Sequence, residues 1–330
     1  MTNRKKEHID ICLNKNVEYG DTGFEYYRFT HNALPEVNMQ EIDTSVDFLG
    51  KNINAPIIIS AVTYDREHQE LTTNLAKAAE KLKLVMSLGS QRILIEQPQM
   101  AMDEDIRKHC PTIPLLANLG AIQLNYGFSA NECNKIIQNV KADALVLHLN
   151  PLQEAIQPEG QTNFKYLLSK IKKIVDNLDC PVIVKEVGSG ISKDVAFKLK
   201  QIGVSIIDVA GHGGTNWALI EGHRANNRLG ETFREWGIPT VEAISQCNDV
   251  DLQLIAGGGI RSGLDIAKAI ALGADYVSIA LPLLRPATIS EGEVIKILQQ
   301  FIHELKITMF CIGAKNIKEL QNTKALVKVK

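Results

Sequence analysis

Eight five-residue apolar runs between residues 56 and 280 constrain the fold of this chain more than any other feature of its sequence. They occupy residues 56–60, 84–88, 114–118, 144–148, 181–185, 205–209, 252–256 and 276–280. Each is apolar in a run rather than in alternation, as expected of a parallel strand covered on both faces. Amphipathic stretches such as 74–83, 164–177 and 192–202 lie between them. The last is opened by Ser192 as an N-cap and closed by Gly203. Repeated strand–helix units predict an α/β fold. Eight of them, with no Pro/Gly-rich linker, predict a (β/α)8 TIM barrel rather than an open sheet. Residues 1–55 precede the first strand as an N-terminal extension. Residues 211–237, rich in Gly, Asn, Arg and Glu, form an irregular insert after strand six, longer than an ordinary connection and read as an active-site flap. Residues 1–330 are expected to form a single domain.

Lys and Arg total 36 against 38 for Asp and Glu, a formal net charge of -2. A near-neutral chain gives no electrostatic case for nucleic acid as partner, so local cations must meet any anionic ligand. With 45% hydrophobic and 22% charged residues, the composition excludes disordered, collagen-like and coiled-coil chains. No apolar run reaches the ~18–20 residues of a membrane span. Nor does an apolar stretch follow the basic N-terminus, so neither a membrane anchor nor a signal peptide is expected. The six cysteines (Cys12, Cys110, Cys133, Cys180, Cys247 and Cys311) are scattered without a Cys-x-x-Cys pair. That usage predicts a reduced, cytoplasmic protein and argues against a zinc site.

Ligands of a barrel bind where its strands end. Nearly every strand end here is polar: Ser60-Ala61-Val62-Thr63, Gly89-Ser90-Gln91-Arg92, Asn118, His148-Leu149-Asn150-Pro151-Leu152-Gln153-Glu154, Lys185-Glu186, Gly211-His212-Gly213-Gly214-Thr215, Gly257-Gly258-Gly259-Ile260-Arg261 and Ala280-Leu281. Solvation of strand ends accounts for one or two such residues and fits poorly with all of them. The glycines at 257–259 stand between a strand and a helix, where backbone approach and free helix N–H groups cradle a phosphate; the flanking strand and helix favour that reading, with the cofactor phosphate as occupant, over a plain tight turn. Lys185 ends a buried strand. An ion pair with Glu186, a Schiff-base lysine and a cation beside an electron-rich flavin edge are the three readings. Glu154 suits Mg²⁺ beside a bound diphosphate. Taken alone, Glu154 reads as a solvated loop acid and His148 as a hydrogen-bonded structural histidine.

Several motifs together resemble the type II isopentenyl-diphosphate isomerases. They are Arg4-Lys5-x-x-His8, Tyr27-Arg28-Phe29-x-His31-Asn32-Ala33-Leu34-Pro35, His148-x-Asn150-Pro151-x-Gln153-Glu154, Val184-Lys185-Glu186-Val187-Gly188, Gly213-Gly214-Thr215-Asn216-Trp217 and Leu264-Asp265-Ile266-Ala267-Lys268. The resemblance covers nearly the whole chain in order and spacing. It implies an FMN-dependent (β/α)8 enzyme of isoprenoid biosynthesis, active with reduced FMN, using NADPH as reductant and Mg²⁺ to hold a small-molecule diphosphate. It also implies a homo-oligomer, a tetramer or an octamer. By the same resemblance Ala61, Val62, Thr63, Ser90, Asn118, Lys185, Thr215, Gly258, Gly259, Arg261, Ala280 and Leu281 hold FMN. Arg4, Lys5, Ser90, Gln91, Arg92 and Gln153 bind substrate, and Glu154 binds the metal. Gln153, Lys185, His148 and Asn150 are the catalytic candidates.

One motif departs from the family. Its usual Ala-Met-Thr-Gly-Gly is Ala61-Val62-Thr63-Tyr64-Asp65 here, which removes two glycines and adds a negative charge near an anionic cofactor. Lys6 stands where the family has Asp, and Ala210 where it has Ser. Two other readings compete with the isomerase. An FMN-dependent oxidoreductase of the hydroxy-acid oxidase kind would use His148 or His212 as base, and a non-catalytic barrel would bind flavin without turnover.

Overall fold

The computed structural model describes residues 4–102 and 105–329. The eight apolar runs become eight parallel strands, β1 (Ile57–Ile59), β2 (Val85–Ser87), β3 (Leu115–Gly120), β4 (Ala144–His148), β5 (Val182–Lys185), β6 (Ile206–Asp208), β7 (Gln253–Ala256) and β8 (Tyr276–Ile279). Each pairs with its successor, and β8 closes on β1 with Ser278 opposite Ile58. The expected (β/α)8 barrel is the fold, with strand boundaries within about two residues of the sequence reading. Helices Gln69–Leu82, Leu167–Asn177 and Lys193–Gln201 fall on the predicted amphipathic stretches. Ser192 caps the last, its side chain accepting from Val195 N, and Gly203 follows the C-terminal end at φ 90°.

Side chains alternate across each strand, so the core forms two shells. Ile57, Ile59, Met86, Leu115, Leu145, Leu147 and Val184 pack outward against the helices. Ile58, Val85, Leu116, Val146, Ile183, Ile206, Ile255 and Tyr276 pack inside the barrel. The N-terminal extension closes the bottom of that interior. Two short antiparallel strands, Val46–Phe48 and Lys51–Ile53, are joined through Leu49 and Gly50, both at positive φ, the backbone of a two-residue hairpin turn. The hairpin inserts Phe48 and Ile53 under the barrel, with Phe48 edge-on to Tyr276 at 4.9 Å. Strand Tyr27–Phe29 pairs with the C-terminal strand Leu326–Lys328.

The opposite end of the barrel is open, and two elements cover it: the N-terminal helix Arg4–Asn14 and the segment after β6. That segment is not the irregular loop expected. It folds into helices Trp217–Ala225 and Leu229–Phe233, with Asn216 capping the first through Leu219 N. The first helix buries Glu221 among Ala218, Leu219, Ile220 and Gly222 and carries Arg224 in its last turn, so the hydrophobic period that marks a helix in sequence is weak.

Candidate active site

Inward positions of the strands turn from apolar to polar toward the C-terminal end: Ile58 then Ser60, Leu116 then Asn118, Val146 then His148, Ile183 then Lys185, Ile206 then Asp208, Tyr276 then Ser278. Ser60, Asn118, His148, Lys185 and Ser278 line a deep open cavity there. Parallel register sets His148 beside Lys185 and Lys185 beside Asp208 at one level of the barrel.

Lys185 does not pair with the Glu186 carboxylate. Its Nζ donates to the Glu186 carbonyl oxygen (2.6 Å) and stands 4.0 Å from Asp208 Oδ2. The Glu186 carboxylate instead accepts from the backbone N–H groups of Val187 (2.6 Å), Gly188 (2.7 Å) and Ser189. Burial pushes the Glu186 carboxyl up to about 7 against those bonds. Asp208, which sequence reasoning missed, accepts from Ser278 Oγ (2.8 Å) and Ala210 N (3.1 Å). Burial raises its carboxyl against the pull of Lys185. The missed signal was an acid ending an apolar strand, beside the lysine that ends its neighbour.

His148 is neutral. Burial first, then the charges of Lys185 and Arg4, pull its ring down to about 3. Its Nδ1 lies 2.9 Å from Asn118 Oδ1, an acceptor, so Nδ1 carries the proton and Nε2 presents a lone pair. A neutral imidazole in this tautomer can accept a proton or a hydrogen bond but offers no charge.

Pro151 at the first position of the short helix Pro151–Ile156 fixes the turn out of β4. Asn150, Gln153 and Glu154 then meet at spacings of three and four residues. Asn150 Nδ2 donates to Gln153 Oε1 (3.0 Å) and Glu154 Oε1 (3.1 Å), and Gln161 N donates to Glu154 Oε2 (2.6 Å). Gln153 Nε2 donates to Glu221 Oε1 (3.0 Å). Glu221, fully buried on the covering helix, also takes His8 Nε2 (2.9 Å) and Arg224 Nη1 (2.9 Å). Gln157, in the amide orientation that satisfies both ends, bridges Glu221 to Arg4 Nη1. Glu221 thereby ties the N-terminal helix, the Gln153 amide and the covering helix together. Sequence reasoning missed it because it lies in the segment read as irregular.

Arg4, Lys5, Ser90 and Arg92 line the cavity mouth as expected. Lys5 Nζ donates to Tyr64 O (2.6 Å) and Ser90 O (3.1 Å), and burial pulls its pKa down to about 8. Arg92 Nε pairs with Glu96 Oε2 (2.6 Å). Gln91 corrects the expectation: it is fully buried behind the wall, its carbonyl accepting from Asn118 N (2.9 Å), and it does not line the cavity. The departing residues Tyr64 and Asp65 also lie off the cavity wall, and neither adopts positive φ, so no glycine is needed there. The Asp65 carboxylate turns inward to Thr63 Oγ1 and His68 Nδ1 (2.8 Å). Burial pushes that carboxyl up, but these bonds outweigh burial and hold it at about 2. Lys6 pairs with Glu67 (2.8 Å). Ala210 lines the cavity at φ 36°.

Ala61, Val62, Thr63, Thr215, Gly258, Gly259, Arg261, Ala280 and Leu281 all border the same cavity. A Cβ at Gly258 would stand 2.2 Å from Gly211 O, and one at Gly259 2.4 Å from Gly213 O, so only glycine lets the two turns interlock. Among the described residues, the Gly258 and Gly259 N–H groups have no acceptor. The helix behind them, Gly263–Ala271, is not the free N-terminus expected. Arg261 N and Gly263 N are taken by Asp265 and Glu304, and Asp265 N by Ser262. The Arg261 guanidinium is held by Glu18. Interlocked glycine turns with free N–H groups, polar strand ends and a buried lysine fit a phosphate-bearing flavin. For a metal, the described residues contain no group of three or more His, Cys, Asp or Glu. The single carboxylate Glu154 fits a hard cation that takes its other ligands from phosphate and water. Asn150 Oδ1, buried and without a donor, stands ready beside it. His212, the other candidate base, packs against Gly20 and Gly237 outside the cavity lining.

The profile of FMN-dependent dehydrogenases matches residues 10–102 and 122–327. A curated isopentenyl-diphosphate delta-isomerase of Nostoc sp. is 48% identical over 98% of this chain and 95% of that protein. Another, of Rickettsia bellii, is 47% identical over 96% and 95%. Among solved structures, a flavocytochrome b2 mutant with pyruvate bound superposes with a TM-score of 0.72 at 16% identity, covering 97% of this chain and 82% of that one. A mandelate oxidase mutant with benzaldehyde gives 0.68 at 18%, covering 98% and 93%. At such identities these two speak for the fold alone.

Proposed function

The chain belongs to the FMN-dependent dehydrogenase family and, within it, to the isopentenyl-diphosphate delta-isomerases, and from that premise we propose that it converts isopentenyl diphosphate to dimethylallyl diphosphate with FMN, Mg²⁺ and NADPH. The observation that carries the reading is the convergence of Asn150, Gln153, Glu154, His148 and Lys185 on one cavity whose mouth holds Arg4, Lys5 and Arg92.

The reaction adds a proton at the terminal carbon and removes one from carbon two, through a cation-like tertiary centre. When bound, reduced FMN supplies acid–base chemistry and electron density beside that centre. Arg4, Lys5, Ser90 and Arg92 bind the diphosphate, and Glu154 is the residue that would hold Mg²⁺, which would supply positive charge to that end of the substrate. Binding energy at this unreactive end orients the reacting carbons. Gln153, its amide fixed by Asn150 and Glu221, faces the allylic carbons. His148 accepts a hydrogen bond at Nε2, and Lys185 keeps positive charge where the anionic reduced ring would lie. No net oxidation occurs, so NADPH is needed only to keep the cofactor reduced.

As a working protein we propose a cytoplasmic homo-oligomer, a tetramer or octamer, acting on a small diphosphate. No helix among the described residues is long and apolar enough to cross a membrane. Anaerobic incubation of the purified protein with FMN, NADPH, Mg²⁺ and isopentenyl diphosphate tests the activity. The allylic isomer should accumulate. Tight flavin binding without product would replace the isomerase with a non-catalytic barrel.

A further inference from the structure

Hydrogen-bond polarity around Glu154 is dictated by charge and leaves the Gln123 Oε1 oxygen without a partner. Arg92 is a donor only, and its Nη1 faces Gln161 Oε1 (3.3 Å). The Gln161 amide therefore has its oxygen toward the cavity wall. Gln123 must meet that oxygen with nitrogen, and its Nε2 does so at 2.7 Å. Gln123 Oε1 is thereby turned away, buried, with no donor. Gln123 is 3% exposed and lines the cavity, as does Asn150, whose Oδ1 is likewise buried and without a donor. The same Gln161 whose side chain sets Gln123 donates its backbone N–H to Glu154 Oε2 (2.6 Å). Two buried acceptors without donors thus belong to the hydrogen-bonded group that holds the one metal-suited carboxylate.

An acceptor left unpaired in a buried site costs about 1–3 kcal/mol, and a donor or a cation removes that cost. Among the described residues no protein group supplies the donor here. Water on a divalent cation does: Mg²⁺ dehydrates reluctantly and keeps several waters, each a polarised donor. We propose that Gln123 is an outer-sphere ligand of the cation held by Glu154, accepting from a metal-bound water through Oε1, and that Gln161 is the positioning residue that sets the Gln123 amide. The inference rests on the metal reading of Glu154 above and adds two residues to it.

The test measures Mn²⁺ affinity of the FMN-loaded protein by EPR in the presence of inorganic pyrophosphate, with flavin absorbance as the control for a folded barrel. Glu154→Gln should abolish tight binding. Should the wild type bind no Mn²⁺, or Glu154→Gln bind it equally, the metal reading itself fails. With that reading intact, Gln123→Met should weaken Mn²⁺ at least tenfold, the range for loss of an outer-shell partner. Gln161→Leu, which keeps the backbone bond to Glu154, should weaken it severalfold by freeing the Gln123 amide to turn. Gln161→Glu keeps acceptors toward both Arg92 and Gln123 and should keep near-wild-type affinity. A merely structural role for Gln161 predicts that Leu and Glu act alike. Unchanged affinity in Gln123→Met, or equal losses in the two Gln161 variants, would overturn the proposal.

Discussion

Acid should destabilise this protein through His148, whose ring is held far below its unfolded pKa. An unfolded histidine titrates near 6.5, whereas burial and the charges of Lys185 and Arg4 hold His148 at about 3. Between those values the unfolded chain binds a proton at His148 that the folded chain refuses, so the contribution of His148 to stability falls as pH falls from about 6.5 toward 3. At 1.36 kcal/mol per pH unit the full window amounts to about 5 kcal/mol, of which about 2 kcal/mol is lost between pH 7 and pH 5. His148→Gln keeps a neutral amide near Asn118 and cannot titrate. Urea unfolding at pH 7 and pH 5 should therefore show a loss about 2 kcal/mol smaller in the variant than in the wild type. Over the same range, NMR of ring-labelled protein should find one histidine neutral at pH 5 and protonated at Nδ1. Equal pH slopes for the two proteins, or a His148 ring that titrates near 6.5, would refute the neutral-tautomer assignment and the acceptor role built on it.

Other substitutions probe the remaining parts of the site. Glu154→Gln should leave FMN content unchanged while weakening substrate binding and its Mg²⁺ dependence, because an amide oxygen is a poorer ligand for a hard cation; loss of flavin instead would move Glu154 to the cofactor site. Lys185→Met should lower activity at least tenfold even with dithionite-reduced flavin, and should raise the Asp208 carboxyl further, readable by infrared titration. Glu221→Ala removes the shared acceptor of His8, Gln153 and Arg224 and should cost about 3 kcal/mol in urea unfolding, whereas Glu221→Gln should cost less.

The barrel was legible because burial on both faces makes each strand a continuous apolar run that no loop imitates. The cavity was legible for a related reason: with a period of two, the last inward residue of most runs borders it, and His148, Lys185 and Asn118 stand there in polar contrast to Val146, Ile183 and Leu116. What stayed hidden depends on partners distant in sequence. Asp208 gains its meaning only beside Lys185 on the neighbouring strand, and Gln161 only between Arg92 and Gln123. The covering helix Trp217–Ala225 reads as loop in sequence because its short apolar run 218–220 is interrupted by Glu221, Gly222 and Arg224. Gln91, one residue before Arg92, was assigned by motif to the cavity, yet the turn after β2 points it into the wall. Asp65 reads in sequence as hostile to an anionic ligand, but it lies off the cavity wall with its carboxylate bonded to Thr63 and His68.

The central claim, that this site moves protons and no hydride into its product, is tested most directly by running the reaction anaerobically in D₂O with NADPH counted against product. The account predicts deuterium from solvent in the dimethylallyl diphosphate, far less than one NADPH oxidised per product, and full activity when dithionite replaces NADPH. One NADPH consumed per product, or label arriving from deuterated NADPH instead of solvent, would contradict it and favour an oxidoreductase.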